Sequence, residues 1–249
     1  MEGSVFDLFI YPLGLGLRSM KPKIRTGVQG LDEELGGGIP EGHVVVISGA
    51  PGTMKSSLAM NIIYYNAVNE GKNGLYISLE QGRASLLEQG LSLGMDFSKI
   101  EDKVRIVDIG YLRKQMKEAQ EVSWLDVYKM YAENLKSSLK YEILVTDSLS
   151  VLDILIGEGN RRVKLFELFE WMKGLGCTSF LIAEATPKTG ISEEDYLSDG
   201  IIRLSKERIG GMDMQRLVYI DKMREVKHST SVFNLIFEDG KFQITKAII

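Results

Sequence analysis

The fold of this chain is decided by one stretch of sequence, Gly49-Ala50-Pro51-Gly52-Thr53-Met54-Lys55-Ser56-Ser57. An apolar run at residues 44–48 precedes it, and a helix-like run from Leu58 to Val68 follows it. A strand, a glycine-rich loop and a helix in this order match the phosphate-binding pattern G-x-x-x-x-G-K-[ST] at every fixed position but one. The exception is Met54, which stands where the second fixed glycine belongs. The stretch therefore predicts a binding site for a nucleoside triphosphate.

The chemistry of such a loop assigns roles to several of its residues. Successive backbone N–H groups form a concave anion site, and the positive end of the following helix adds to it. Lys55 is predicted to reach the β- and γ-phosphates, and the Ser56 hydroxyl to ligate Mg²⁺. Gly52 can adopt an unusual backbone angle, while Pro51 stiffens the turn. The alternative is a turn that binds nothing, but the flanking strand, the lysine and the serine all favour the phosphate site.

Composition and charge narrow the function classes. The chain has 249 residues, enough for one large α/β domain, and 44% of them are apolar. The net charge of −4 does not favour nucleic acid as the main partner, although a local basic patch stays open. Cys177 is the only cysteine, so no intrachain disulfide forms, which suits a reducing cytoplasm. No apolar run approaches the roughly 20 residues that span a bilayer.

The first 20 residues are predicted to be an extension, with residues 21–249 as a single ATPase-type domain. Residues 5–11 are apolar, but Asp7 interrupts them and no basic residue precedes them, unlike a signal peptide. Their apolar side chains are expected to pack on the chain's own domain or across a subunit boundary. A partly disordered tail is the alternative.

Strands and helices alternate along most of the chain. Strands are predicted at residues 42–48, 74–79, 104–108, 142–146 and 178–183. Helices are predicted at 58–69, 83–93 and 163–173, with one long helix or two over 113–139 and a break near Ser123. After residue 200 strands follow one another, at 201–204, 216–222, 231–237 and 241–245. This order predicts an α/β fold with a mostly parallel sheet, helices on both faces, and antiparallel strands at the C-terminal edge.

Two acidic residues stand at the ends of predicted strands. Asp147 follows an apolar strand and is predicted to hold the hydration shell of Mg²⁺ beside Ser56, the alternative being a helix cap. Glu80 follows the strand at 75–79. If that strand lies beside the strand of the phosphate loop, Glu80 faces the γ-phosphate and orients or deprotonates the attacking water. A solvent-facing acid is the alternative for Glu80.

Four further segments carry a resemblance to a known family. They are Arg25–Asp32 with Gly36–Gly42, Ser78–Gln81, Ser198–Leu204 and Asp221–Arg224. Together with the phosphate loop they resemble the KaiC-like branch of the RecA/RadA ATPases, in its archaeal single-domain type. The segments are similar to the family's T-G-x-x-G-L-D…G-G-G-I-P-x-G lead-in, its catalytic-carboxylate strand, its S-D-G-I-I-x-L element and its K-M-R element.

The resemblance implies more than the residues alone. It implies a RecA-like core that uses ATP and Mg²⁺ in the cytoplasm and assembles into a homo-oligomer, a hexamer or a dimer, with its sites at subunit interfaces. Lys222 and Arg224 would reach the γ-phosphate of the neighbouring subunit, in the manner of an arginine finger. Glu184 matches a polar sensor of the γ-phosphate or water. His228 stands where family members often have a histidine near that phosphate.

Two departures from the family pattern point to slow turnover. If the position of Met54 requires a positive φ, its Cβ atom costs on the order of 1 kcal/mol and its side chain crowds the loop. Gln81 stands where KaiC domains usually have a second glutamate, so the site loses one carboxylate. The chain also has one such core where KaiC has two in tandem, and a clock role does not follow from the resemblance.

Three functions are consistent with this sequence. The first is a slowly hydrolysing ATP switch that oligomerises through its nucleotide sites. The second is a recombinase-like DNA-binding ATPase, for which residues 157–164 and 186–190 supply basic loops, although the acidic residues within 192–195 oppose it. The third is a scaffold that needs ATP only for assembly, which Met54 and Gln81 favour. The sequence therefore does not decide whether the chain binds a partner protein or nucleic acid, and no membrane insertion is expected.

Overall fold

A computed structural model describes residues 21–111, 123–156, 160–185, 193–209 and 213–247. The first six strands are β1 (Lys23–Ile24), β2 (Ile39–Pro40), β3 (Val44–Gly49), β4 (Gly74–Ser78), β5 (Val104–Asp108) and β6 (Ile143–Asp147). The others are β7 (Thr178–Glu184), β8 (Gly200–Ile209), β9 (Asp213–Met223), β10 (Phe233–Glu238) and β11 (Lys241–Lys246). The α-helices are α1 (Leu31–Glu34), α2 (Lys55–Asn69), α3 (Arg83–Ser92), α4 (Trp124–Leu139), α5 (Leu149–Ile156), α6 (Arg161–Gly174) and α7 (Glu193–Leu197).

Nine strands of the described residues form one sheet, in the order β11-β10-β9-β8-β3-β7-β6-β4-β5. The strands from β8 to β5 in this order run parallel to one another. Strands β9, β10 and β11 continue the sheet as antiparallel neighbours. The predicted α/β fold, with its antiparallel C-terminal edge, is confirmed.

The sheet separates two hydrophobic cores. Val45 and Ile47 of β3 face one core, which includes the apolar residues of α2, while Val44 and Val46 face the other, which includes those of α4, α5 and α6. Side chains of a strand alternate between the two faces, so a central strand covered on both sides is apolar throughout. This is why the run before the phosphate loop contains no polar residue until Ser48.

The predicted helices differ from the observed ones mainly at their ends. Helix α2 begins at Lys55, three residues before the predicted start, because the last residues of the phosphate loop are already helical. Helix α4 begins at Trp124, with Ser123 as its N-cap, where a break was predicted; residues 112–122 lie outside the described ranges. Helices α5 and α7 were not predicted. Among the described residues, no helix combines the length and apolar character needed to cross a bilayer.

The condition attached to Glu80 is wrong. Strand β4 does not lie beside β3, because β7 and β6 stand between them in the sheet. Helix α2 carries the chain across one face of the sheet to a strand three positions away, and the later strands β7 and β6 occupy the two positions in between. The order of buried parallel strands depends on these crossovers and not on the strand sequences, which all read as similar apolar runs.

The T-G-x-x-G-L-D lead-in forms a turn that docks on the body of the fold. Asp32 accepts a hydrogen bond from the backbone N–H of Thr26 at 2.7 Å and so closes the turn. Gly27 has a φ of 68°, and a Cβ atom there would lie 2.5 Å from the ring of Tyr65 on α2. The backbone N–H of Gln29 donates to Phe242 on β11 at 2.9 Å. The residues of the motif therefore have a structural role: they close the turn and pack it against α2 and β11.

Candidate functional site

The phosphate loop joins β3 to α2 at the carboxyl edge of the parallel strands. Gly49 ends β3, and a Cβ atom there would lie 2.4 Å from the carbonyl oxygen of Leu204, so the position excludes larger residues. The Thr53 hydroxyl donates to the Ala50 carbonyl at 2.8 Å, and the Lys55 ammonium donates to the same oxygen at 3.1 Å. The loop therefore closes on its own backbone. Ligands of open α/β sheets bind at this edge.

Met54 has a left-handed backbone, so the condition for strain at this position is met. Its φ is 74° and its ψ is 27°, a region that side chains with a Cβ atom enter only at a cost. The side chain is partly buried and packs against the core beside α2. Packing of the methionine therefore offsets part of the backbone strain.

Comparing Met54→Gly with Met54→Ala isolates this strain. Both variants lose the methionine side chain, but only glycine removes the Cβ atom, so the glycine variant is expected to be more stable by about 1 kcal/mol. Chemical denaturation of both variants measures the difference in the free energy of unfolding. Lys140, with a φ of 51°, offers the matched control, since alanine and glycine there should differ by a similar amount. Equal stability of the two Met54 variants, with a difference at Lys140, would refute the strain.

Three predicted acidic residues surround Lys55. Gly49 pairs with Glu184 across β3 and β7, so Glu184 lies at the level of the loop. Asp147 pairs with Ser78 on β4, and Glu80 stands two residues beyond that pair. All three carboxylates interact electrostatically with Lys55. The carboxyl ends of four neighbouring strands thus bring the predicted acids and the predicted lysine to one place.

The Lys55 ammonium is held in an environment that disfavours its charge. Burial lowers the pKa of Lys55, and the carboxylates of Glu184, Asp147 and Glu80 act in the opposite direction, while Lys206 lowers it further. The negative charge of a bound phosphate chain would stabilise the ammonium form of this partly buried lysine.

Asp147 is a buried carboxylate with hydroxyl partners. The Tyr76 hydroxyl donates to Asp147 Oδ2 at 2.7 Å, and Ser56 also hydrogen-bonds to this carboxylate. Burial raises the pKa of Asp147, while the hydrogen bonds from Tyr76 and Ser56 lower it. A buried carboxylate beside the Ser56 hydroxyl fits Mg²⁺, which takes one or two protein oxygens and completes its shell with phosphates and water. No cluster of three or more His, Cys, Asp or Glu side chains suited to a metal exists in the described part of the chain.

Glu80 and Gln81 extend the site toward α3. The Ser148 hydroxyl donates to the Glu80 carboxylate, which is exposed. The Gln81 side-chain amide donates to Ser85 at 2.8 Å and to Gln89 at 3.3 Å. Gln81 is therefore a member of a polar network and not a free base, as expected for an amide in place of a carboxylate.

Gln89 is a site residue that the sequence did not reveal. Its side-chain amide donates to the Ser57 hydroxyl at 3.1 Å. Both residues line a cavity of about 270 Å³ beside the loop, together with Gly52, Met54, Lys55, Ser56 and Gln81. A glutamine on a surface helix carries no pattern of its own, and only the packing of α3 against α2 brings it here.

Lys222 and Arg224 do not join the phosphate loop of their own chain. Lys222 pairs with Ile201, which pairs with Val46, so Lys222 lies three residues before the level of Gly49, or about 10 Å along the strands. Its ammonium donates to the carbonyl oxygens of residues 195 and 198 at 2.9 and 2.6 Å. Arg224 donates to Asp199 Oδ1 at 2.7 Å.

His228 makes a local contact. Its Nδ1 atom lies 2.9 Å from the carbonyl oxygen of Ser229, and Ser229 in turn bonds through its backbone N–H to Glu34 of α1. The structure thus places His228 beside α1, and gives it no contact to the phosphate loop.

Among the described basic residues offered for DNA binding, Arg161 is compensated by acids. The Arg161 guanidinium forms ion pairs with Asp153, Glu193 and Glu194 at 2.7, 3.0 and 3.2 Å. The Lys164 ammonium donates to the Ile156 carbonyl at 2.8 Å. Residues 157–159 of the first predicted loop and the whole of the second, residues 186–190, lie outside the described residues, as do residues 1–20. Arg162 is exposed and forms no ion pair with the described residues, so the first loop keeps part of its positive charge.

Comparison with known proteins agrees with this architecture. The sequence model of the family "ATPase: KaiC" matches residues 24–247. The chain belongs to the KaiC ATPase family. It is 33% identical to a UPF0273 protein of Saccharolobus solfataricus over 218 residues, which cover 83% of this chain and 77% of that protein. The circadian clock protein KaiC2 of Synechocystis is 26% identical over 89% of this chain, but the match spans only 40% of KaiC2.

A solved structure has the same fold. The KaiC-like protein of Pyrococcus horikoshii superposes with a TM-score of 0.77 at 26% identity, covering 90% of this chain and 99% of that one. The predicted resemblance to KaiC-like RecA-superfamily ATPases is confirmed. Membership of this family makes the chain a nucleotide-binding ATPase by family.

Proposed function

We propose that this KaiC-family protein binds ATP with Mg²⁺, hydrolyses it slowly and acts as an oligomeric nucleotide switch in the cytoplasm. The observation that carries the proposal is the placement of Lys55 among Glu80, Asp147 and Glu184 at the loop edge of the sheet. A lysine, a hydroxyl and acidic strand ends around a glycine-rich loop are the parts that phosphoryl transfer to water requires.

Each part has a role in binding. The backbone N–H groups of residues 49–57 and the start of α2 hold the phosphates, and the Lys55 ammonium contacts the β- and γ-phosphates. The Ser56 hydroxyl and the Asp147 carboxylate would hold Mg²⁺. When bound, the metal ion neutralises charge that develops on the phosphates.

Hydrolysis depends on two strand-end acids. Glu80 orients the attacking water and accepts its proton, with Ser148 fixing the carboxylate through its hydrogen bond. Glu184, at the level of Gly49, senses the γ-phosphate or this water. Two residues make turnover slow. The Met54 side chain crowds the phosphate loop, and Gln81 supplies an amide where a second carboxylate would otherwise stand.

Assembly completes the site. Lys222 and Arg224 lie too far along the strands to reach their own loop and act on the γ-phosphate of a neighbouring copy. Residues 21–249 act as a single ATPase domain, and residues 1–20 as an extension that packs across the subunit boundary. A hexamer and a dimer both allow this arrangement.

Phosphate release and oligomer mass, followed together for the wild type and Glu80→Gln, test the proposal. The wild type is expected to turn over slowly, and the variant at least about 100-fold more slowly, because general-base catalysis contributes on that order. ATP should still drive assembly of the variant, as measured by light scattering. Glu88→Gln, an exposed change of the same kind on α3, is the matched control and should behave as the wild type.

Two other outcomes separate the alternatives. ATP-driven assembly with no turnover in the wild type or the variant would favour an ATP-gated scaffold. Binding of duplex DNA with a steep dependence on salt would favour the recombinase-like function. No ATP binding by the wild type would refute the proposal itself.

A further inference from the structure

The hairpin of β8 and β9 presents basic side chains next to the phosphate loop. Lys206 on β8 pairs directly with Arg216 on β9, and the preceding pair on the same face is Leu204 with Val218. Because Leu204 and Val218 belong to the core beside α2, Lys206 and Arg216 lie on the α2 side of the sheet. This is the side on which the phosphate loop turns into α2.

Lys206 reaches the loop itself. A Cβ atom built on Gly52 would lie 3.0 Å from the Lys206 ammonium. Lys206 also acts electrostatically on Lys55 and helps to lower its pKa. Two ammonium groups of the same chain therefore flank the loop, Lys55 from α2 and Lys206 from β8.

The pair of Lys206 and Arg216 is an unfavourable one in the absence of an anion. Paired side chains on one face of antiparallel strands have their Cβ atoms about 5 Å apart, and like charges in this position are destabilising. Both side chains are exposed, and neither has a carboxylate oxygen within 4.0 Å among the described residues. Arg203 on β8 shows the contrast, since its guanidinium is bridged to Asp195 and Asp221 at 2.8 and 2.6 Å.

We propose that Lys206 and Arg216 form a second cationic contact to the phosphate chain of the nucleotide held by the loop. An ammonium and a guanidinium are the usual protein ligands of phosphate oxygens. The contact comes from the same chain as the loop, unlike that of Lys222 and Arg224. This inference rests on the proposed binding of ATP, which it deepens by naming two more residues of that site.

The test compares Lys206→Met and Arg216→Met with the wild type. Affinities for ATP and for inorganic tripolyphosphate, both with Mg²⁺, are measured by titration calorimetry. Each variant is expected to bind both ligands about tenfold more weakly, since a charge-assisted hydrogen bond contributes about 1.4 kcal/mol or more. Lys206→Arg keeps the charge and should retain most of the affinity. Lys246→Met, an exposed lysine on β11, is the matched control and should bind as the wild type.

Unfolding without ligand separates a binding role from a structural one. Removing one member of a like-charge pair is expected to leave the melting temperature unchanged or raise it, while affinity falls. A lower melting temperature of both methionine variants would overturn the inference, because the residues would then support the fold.

The remaining outcomes are equally distinct. Wild-type affinity in both methionine variants would overturn the inference and leave ATP binding standing. Loss of affinity for ATP but not for tripolyphosphate would also overturn it, because the contact would then be to the nucleoside. If the wild type binds neither ligand, the proposed function fails first, and the inference fails with it.

Discussion

Lys55→Met is expected to weaken ATP binding by about 100-fold, or close to 3 kcal/mol, because the ammonium is proposed to contact two phosphates through charge-assisted hydrogen bonds. Methionine preserves the length of the side chain and removes only the charge and the donors. Lys55 lines the cavity beside the loop and is the only basic residue among residues 49–57, so no other side chain of the loop replaces its charge. Calorimetric titration with Mg²⁺ and ATP measures the loss.

The fold of this variant should survive. Burial lowers the pKa of Lys55, so the folded chain disfavours its charged form, and loss of the charge is not expected to reduce the free energy of unfolding. Lys246→Met serves as the control for removal of a lysine far from the site. Wild-type affinity in Lys55→Met would mean that the loop is not the nucleotide site, and the proposed function would fall.

Mixing two inactive variants is expected to restore turnover. Chains with Lys222→Ala and Arg224→Ala keep an intact loop and should lose about 1000-fold in turnover, as expected for a lost arginine finger. Chains with Lys55→Met keep intact Lys222 and Arg224. In mixed oligomers about a quarter of the interfaces join an intact loop to an intact finger, so about a quarter of wild-type turnover should return.

The control for this experiment mixes two variants that both carry their substitution on the loop side of the interface. A mixture of Lys55→Met with Glu80→Gln should stay inactive, because every interface then has a damaged loop side. Lys222 and Arg224 also bind the backbone and side chain of residues 195–199, so the melting temperature of their variant must be compared with the wild type. An inactive mixture of two folded variants would show that the pair does not act in trans.

Local sequence was enough to predict the core of the candidate site. The phosphate loop, its strand and its helix are contiguous, so their geometry follows from short-range rules for glycine, buried strands and helix starts. Met54 illustrates this point: the loop pattern has glycine at this position, which raised the question of a positive φ, and the structure has one, at 74°. The strand-end positions of Asp147 and Glu184 were likewise visible, as the first acidic residues after apolar runs.

Long-range placement could not be predicted in the same way. The role of Glu80 was made conditional on its strand lying beside β3, but β7 and β6 lie between the two strands, and Glu80 contacts Ser148. Gln89, Lys206 and Arg216 belong to the surroundings of the loop through helix packing and strand register. Nothing in their own sequence context distinguishes them from ordinary surface residues.

The sequence by itself determined the fold class, the family and the position of the phosphate loop. Each of these depends on contiguous residues with strong backbone or burial preferences. The tertiary structure alone decided the strand order, the separation of Lys222 from the phosphate loop of its own chain, and the approach of Lys206 to Gly52. The physical reason is that apolar strands are interchangeable in composition. Their order and register are set by crossover connections and packing, and these act between residues far apart in the chain.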